Sequence, residues 1–448
     1  MTQPTGGSRP APTFTTLSSM AVVVGIVVGI GIFRLPPIVA LNSAGELQFI
    51  LFWVVGGLVS LMGALCYAEL SSSMPDSGGE YYFLRRAFGP ATGFFLSWGR
   101  MTVIQTGSLA LIAFILGDYA SLLLDLGPYS SSIYAALAVV ALTGLNIMGT
   151  IYSSRTQSIL ASVIVATIVI IGVSALLFTS GEAISGITLS GKGGQLFSGG
   201  APGAAMIFVL LTYGGWSEAA YLTGELRNVR RSIVRALVFG IAIITGLYVM
   251  INLAYLHVLG FETLQGSSTV GYDLTERVFG AGGSILVVII VIVAALSTAN
   301  ATIITGARTN YAIGRDFRLF GFMGRWNHHR NSPQPALLFQ GSIALVLVVA
   351  GAFSQEAVST MVDYTAPVFW FFLTIITLSL FVFRFRKEGD QKSYKVPLYP
   401  VPPLLFLAAC IYMLYSSLVF TGIGALAGVS ILAAGVPVWF LARRYQRR

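Results

Sequence analysis

Twelve apolar runs, each long enough to cross a bilayer as a helix, account for most of this 448-residue sequence. A helical crossing takes about 20 residues at roughly 1.5 Å of rise each. Segments 17–41, 48–74, 91–124, 131–148, 156–179, 202–223, 236–260, 284–306, 336–353, 361–383, 403–420 and 424–442 meet that length. Charged residues make up 10% of the chain and hydrophobic ones 55%, whereas a soluble domain carries about a quarter charged. Hydrocarbon offers no partner to backbone N–H and C=O groups, so helices are the expected way across. The sequence therefore predicts an all-α polytopic membrane protein with 12 transmembrane helices.

An even number of spans leaves both termini on one side, and the basic residues say which. Arg85, Arg86, Arg155, Arg227, Arg230, Arg231 and Arg235 lie in connections on the side of the termini. Arg308, Arg315, Arg318, Arg325, Arg330, Arg384, Arg386, Lys387, Lys392 and Lys395 join them, as do Arg443, Arg444, Arg447 and Arg448. The opposite connections hold Arg34, Lys192 and Arg277. This asymmetry predicts cytoplasmic N- and C-termini in a plasma (inner) membrane, and it explains a formal charge of +9 without a nucleic-acid partner. Residues 1–16 are rich in Pro, Gly, Ser and Thr and read as a disordered tail, not as a cleaved signal. Cys66 and Cys410 fall inside apolar runs, so no disulfide framework is implied.

Two connections on the basic side carry structure of their own. Residues 75–90 hold a Ser-Gly-Gly-Glu-Tyr-Tyr turn and then an amphipathic stretch near 82–88, and residues 308–335 mix Gly, His, Asn and Pro with basic side chains. On the other side, residues 261–283 include Glu262, Asp273, Glu276 and Arg277 and are long enough to lie over the external mouth.

The first run contains Gly25, Gly29 and Gly31 in mid-span, where each glycine weakens a helix by about 1 kcal/mol relative to alanine. Gly25 and Gly29 also have the small-xxx-small spacing of close helix packing, which is the alternative reading. The sixth run carries a counterpart, Leu211-Thr-Tyr213-Gly214-Gly215-Trp216-Ser217-Glu218. Interruptions in corresponding helices of two halves mark a transporter's central site. The half-helix after a break turns its unpaired N–H groups toward a carboxylate, and the half before it leaves carbonyl oxygens for an ammonium. A zwitterion needs both, and irregular backbone is tolerable at that depth where it lines a cavity.

These motifs resemble the amino acid–polyamine–organocation superfamily, most closely the L-amino-acid transporter family and its bacterial relatives. The resemblance is carried by Val28-Gly29-Ile30-Gly31-Ile32-Phe33, Ala64-Leu-Cys66-Tyr67-Ala-Glu69-Leu and Pro75-Asp-Ser-Gly78-Gly79-Glu80-Tyr81. It continues through Tyr213-Gly-Gly-Trp216-Ser-Glu218, Ala295-Leu-Ser297-Thr298-Ala-Asn300, Pro333-Gln-Pro335-Ala336 and Tyr394-Lys-Val-Pro397-Leu-Tyr-Pro400. It implies a leucine-transporter-type 5+5 inverted repeat with discontinuous helices 1 and 6 and spans 11 and 12 outside it. The chain then divides into the tail 1–16, a transport core 17–383, a cytoplasmic connection 384–402, the last two spans 403–442 and a basic tail 443–448. It also implies a secondary transporter or exchanger of L-amino acids working by alternating access, with no cofactor, and the low number of charges lining the inferred pocket points to neutral substrates. Its partners would be the substrate, a coupling ion or counter-substrate, and lipid.

By the same resemblance, the substrate carboxylate would meet backbone at Ile30, Gly31 and Ile32, and the ammonium would meet carbonyls of Val27, Leu211 and Gly214. Tyr213, Trp216 and Ser217 would border the side-chain pocket. Departures accompany the matches. Relatives often have a small residue where Ile30 stands and an aromatic gate where Leu211 stands, and no external loop has a cysteine for a disulfide-linked partner subunit. Many relatives place a lysine about seven residues after the counterpart of Gln157, where this chain has Ile164. Ser297 and Thr298 offer oxygen ligands for sodium instead, the alternative being hydroxyls bonded back into their own helix.

Ionisable residues inside spans are costly unless partnered. Glu218 is a candidate proton relay or cationic-substrate ligand, which would make the chain a cationic amino acid or polyamine porter; a structural pairing with Arg100 is the other reading. Arg100 is expected to snorkel to the interface. Glu69 and Glu225 read as components of an inner salt-bridge gate or as interfacial charges. Asp118 and Asp363 are expected to face water near external ends, and His257 to be an ordinary helix side chain. A non-transporting sensor on a transporter scaffold is the rival from another class. Enzyme chemistry is not expected: there is no phosphate loop, His328 and His329 are adjacent and unsuited to chelation, and no nucleophile–base pair lies in the spans.

Overall fold

The computed structural model describes residues 29–74, 79–148, 154–178, 200–217, 229–327, 330, 332–354, 356–388, 393–420 and 423–447. A chain in hydrocarbon pairs its backbone groups within each segment, and the described residues form helices and no strand, with one isolated bridge between Asn327 and Ser332. After a 3-10 turn at Ile30–Phe33 come α1 (Pro36–Leu41), α2 (Glu46–Ser73), α3 (Glu80–Phe88) and α4 (Pro90–Ser121). Then follow α5 (Ser130–Ile147), α6 (Ser154–Phe178), α7 (Pro202–Thr212), α8 (Val229–Leu259) and α9 (Phe261–Gly266). The last are α10 (Val270–Asp316), α11 (Gln334–Gly351), α12 (Ala357–Phe385), α13 (Val401–Phe420) and α14 (Ile423–Arg447).

Among the described residues, nine helices are long and apolar enough to cross a membrane. They fall on nine of the twelve apolar runs, and α6 covers the fifth. Of the first and sixth runs, the described parts are 29–41 and 202–217. The eighth run lies in the second of two helical segments, 270–279 and 281–316, which meet at a kink and are labelled together as α10. At the kink Gly280 is non-helical, and its φ of 70° lies in the left-handed region open to glycine.

The bend lets the start of α10, with α9, fold over the segment around α1. Gln265 donates from Nε2 to the Ala40 carbonyl at 3.0 Å. The Gly271 N–H donates to the Tyr119 hydroxyl at 3.2 Å, and that hydroxyl donates to the Phe33 carbonyl at 2.7 Å. Residues of the connection 261–283 thus cover the segment 33–40.

Helix α4 is the central element, buried against α5, α10, α11 and α12. Helix α2 lies along α8 so closely that a β-carbon at Gly57 would collide with Thr245. Helix α13 covers α2 and α7, and α14 lies against α4 and α12. In the basic connection of residues 75–90, the amphipathic stretch forms α3, which buries Phe83 and Leu84 and leaves Arg85 and Arg86 exposed.

Ion pairs cluster at the two ends of the helices. At the basic end, Arg85 pairs with Asp316 at 2.6 Å and Arg86 with Glu388 at 3.0 Å. Glu69, buried at the end of α2, accepts from Arg384 Nε at 2.7 Å and Nη2 at 2.6 Å. It also accepts the Val396 N–H at 2.7 Å, and Lys395 Nζ stands 3.7 Å away. At the other end, Arg34 donates from Nε to Asp118 at 3.1 Å, with Glu356 3.8 Å from its Nη2.

Candidate functional site

The site is built where a 3-10 turn begins and the helix α7 stops. The 3-10 turn at Ile30–Phe33 starts from Gly29 in extended backbone, with no side chain capping its first amides. The Gly31 carbonyl accepts from the N–H groups of Arg34 at 3.1 Å and Leu35 at 2.8 Å, which launches the turn toward α1. Across from it, α7 ends at Thr212. The Gly214 N–H folds back to the Leu211 carbonyl at 2.9 Å, and Gly215 takes φ of 98°. An L side chain rarely tolerates that conformation, so the glycine pair is what stops the helix here.

The start of the turn and the end of α7 face each other across a cavity of about 230 Å³. Gly29, Ile30, Gly31 and Leu35 line it from one side, and Leu210, Leu211, Thr212, Gly214, Gly215 and Ser217 from the other. A β-carbon placed on Gly31 would lie 3.4 Å from Thr212 Cγ2 and 3.4 Å from Leu35 Cδ1. Such a group would therefore point into the gap between the two broken segments. Helices α4, α10 and α12 close the remaining wall with Gln105, Ser108, Thr298, Thr302, Thr305 and Thr365 beside Ile112, Phe369 and Trp370. No described lining residue is ionisable. A ligand's charges would be met there by backbone dipoles, whose amides and carbonyls at helix ends suit an anion and a cation respectively.

Residues 14–441 match the family model for amino acid permeases. The chain belongs to the amino acid permease family. It is 30% identical to b(0,+)-type amino acid transporter 1 of Mus musculus over 402 residues, which is 89% of this chain and 81% of that one. It is 27% identical to the serine/threonine exchanger SteT of Bacillus subtilis (strain 168), with 95% of each chain covered. Large neutral amino acids transporter small subunit 2 of Oryctolagus cuniculus is 30% identical over 96% of this chain and 80% of its own length.

Within this permease, the residues singled out from sequence do not all meet. Ile30, Gly31, Leu211, Gly214, Ser217 and Thr298 line the cavity. Ile32 is fully buried beside it, its carbonyl accepting from the Tyr255 hydroxyl at 3.2 Å. Tyr213 and Trp216 were expected at the pocket border and are found elsewhere. Tyr213 shares with Val209 the face of α7 that meets α2, and lies against α2 and α8, where its hydroxyl donates to the Trp53 carbonyl at 2.9 Å and its ring meets Trp53 and Tyr248. Trp216 packs edge-on against Tyr67, with ring centroids 5.1 Å apart, and against Phe406. Ser297 is buried on α10 and does not line the cavity, while the Thr298 hydroxyl donates to the Ala294 carbonyl at 3.0 Å. Val27, Glu218 and Glu225 lie outside the described residues, as do His328 and His329.

The charged candidates are placed differently from expectation in two cases. Arg100 does not snorkel. It is buried in a π-turn at Arg100–Ile104 inside α4, donating to Glu80 at 2.8 Å and to Gln105 Oε1 at 3.2 Å. Glu80 also accepts from the Tyr67 hydroxyl at 2.6 Å. A guanidinium in this interior costs several kcal/mol unless partnered, and Glu80 was the partner that sequence reading missed. Asp118 is engaged by Arg34 and by the Ser131 hydroxyl at 2.6 Å, so it is not simply a water-facing carboxylate. Asp363 and His257 are half-buried, and Ile164 is buried in α6. Cys66 and Cys410 are buried free thiols.

Of the polar residues named on this wall, Thr298 alone was expected from sequence; Gln105, Ser108, Thr302, Thr305 and Thr365 were not. The signal for Thr302 and Thr305 was present, since positions 298, 302, 305 and 309 recur at the three- and four-residue spacing of one helix face.

Proposed function

We propose that the chain is a secondary exchanger of neutral L-amino acids that works by alternating access. The observation that carries this reading is the pair of facing helix ends, at Gly29–Gly31 and Leu211–Gly215, around a cavity with no described ionisable lining residue. Uncapped amides at Ile30 and Gly31 suit a carboxylate, and α7's last carbonyls, with Leu211 O retaining a lone pair, suit an ammonium. The side chain then lies against α4, α10 and α12. A cationic substrate would lack a described counter-charge at this wall, which favours neutral side chains.

In this reading the chain crosses an inner or plasma membrane 12 times with both termini in the cytoplasm, where the Arg85–Asp316 and Glu69–Arg384 pairs then lie. Spans 1–5 and 6–10, counted by the apolar runs, form the inverted repeats, with spans 11 and 12 (α13 and α14) outside them. The core is 17–383, flanked by the tail 1–16, and followed by the connection 384–402, spans 403–442 and tail 443–448. Counter-substrate drives the cycle, because the position that would hold a coupling lysine is the buried Ile164. Ser297 and Thr298 remain the candidates for a sodium site, and Glu69 for part of the inner gate.

The test is counterflow in liposomes containing the purified chain. Labelled neutral amino acids should accumulate when the lumen holds unlabelled amino acid, and not when it holds buffer alone. Preferential accumulation of lysine or a polyamine would favour a cationic porter working through Glu218. Absence of flux under every gradient, with binding retained, would make the chain a sensor.

A further inference from the structure

The polar wall of the cavity has a direction. The Thr298 hydroxyl donates to Ala294 O at 3.0 Å, Thr302 to Thr298 O at 2.9 Å, Thr305 to Ala301 O at 3.1 Å and Thr365 to Met361 O at 2.9 Å. A hydroxyl has one proton to give and two lone pairs. Four hydroxyls of this wall therefore spend their proton within their own helices and keep acceptor capacity alone.

Gln105 is fixed in the same sense. Its Oε1 accepts from Arg100 Nη2 at 3.2 Å, and its Nε2 donates to the Thr302 carbonyl at 3.0 Å and the Thr305 hydroxyl at 2.8 Å. Arginine offers only donors and a carbonyl only acceptors, so the amide cannot be flipped without losing both contacts. Both amide protons are committed, while Oε1 retains a lone pair. Behind it the fully buried Gln340 donates to the same Thr302 carbonyl at 3.3 Å, which holds the wall from the far side. Ser108, whose hydroxyl has no hydrogen-bond partner among the described residues, is the exception able to donate.

Building on the exchanger function proposed above, we infer that this wall selects amino acids whose side chains donate a hydrogen bond, a hydroxyl or a carboxamide, and that Gln105, Thr298 and Thr302 are specificity-determining acceptors. A methyl group in place of the donor would desolvate these oxygens without pairing them, and a site built around polar contacts discriminates against such analogues more strongly than an apolar pocket does.

Threonine and valine nearly share a shape and differ by hydroxyl for methyl, so their competition reads the wall directly. Liposomes containing the full chain and preloaded with a mixture of neutral amino acids are given labelled threonine or valine at equal low concentration, and serine or 2-aminobutyrate in a parallel pair. Initial uptake of threonine should exceed that of valine by about tenfold or more, and serine should exceed 2-aminobutyrate similarly. The threonine-to-valine ratio should fall toward one in Thr302→Val. If that variant does not fold, Thr298→Val is read by the same ratio. Brisk uptake of valine equal to threonine would overturn the inference and leave amino-acid exchange standing. An unchanged ratio in the folded variants would remove these threonines from the discrimination. Absence of flux for every amino acid would overturn the exchanger reading as well.

Discussion

Arg100 and Glu80 form an ion pair of 2.8 Å in which both side chains are almost wholly buried, joining the middle of the central helix to the amphipathic helix α3. Removing one partner strands a charge in the interior, which costs about 3–5 kcal/mol, whereas replacing both with apolar groups of similar volume is often near neutral. Arg100→Met and Glu80→Leu should each lower the denaturation midpoint in detergent sharply. The double variant Arg100→Met, Glu80→Leu should recover most of that loss. A double variant that is the sum of the two singles would mean that the pair is not coupled.

Gly31 faces the other broken helix with limited room. A single methyl there sits at 3.4 Å from Thr212 and Leu35, at the edge of ordinary contact. Gly31→Ala should fold and weaken amino-acid binding by about tenfold, since overpacking of this kind costs about 1–3 kcal/mol. Gly31→Val should fold and bind nothing measurable by scintillation proximity. Wild-type affinity in the valine variant would return the glycine to a role in helix packing.

The Arg34–Asp118 pair ties the segment after the first break to the end of α4, close to where Tyr119 holds the Phe33 carbonyl. Asp118→Asn keeps the shape and removes the charge. The maximal exchange rate should fall several-fold while half-saturation moves less, because the contact holds the covering segment and not the ligand. Rate measurements against substrate concentration separate the two. A change confined to half-saturation would place Asp118 in substrate binding.

Exchange should proceed at the same rate when sodium is replaced by choline. The Thr298 hydroxyl is turned back to Ala294, and no described carboxylate lines the cavity to neutralise a cation. A strict sodium requirement, lost in Ser297→Ala, would instead assign the ion site to α10 and make counter-substrate secondary.

Most of the fold was legible in hydropathy because lipid leaves the backbone few choices. Among the described residues, nine helices long and apolar enough to cross a membrane fall where the apolar runs do, and the end of α7 was visible as a glycine pair. What could not be read is which face of a helix end meets the cavity. Tyr213 belongs to the motif yet lies on the face of α7 that meets α2, one turn after Val209, and so points into the α2–α8 interface. The Arg100–Glu80 pair was hidden for a different reason. Its acidic member sits in a segment that reads as a loop, and a 20-residue separation carries no helical register. Thr302 and Thr305 resembled ordinary polar residues of a long helix until α4 and α12 closed the space in front of them.

The clamp at Glu69 constrains motion as well as stability. Arg384, the Val396 N–H and Lys395 all converge on one carboxylate, so the end of α2 is pinned to the end of α12 and to the chain that follows it. From Glu46 to Glu69 the helix is about 35 Å long at its usual rise. A tilt of roughly 10° about the pinned end would sweep the free end through about 6 Å over that length. Helix α2 is thus a lever with a fixed fulcrum, able to turn a small rotation near the basic rim into a displacement several atoms wide at the opposite surface.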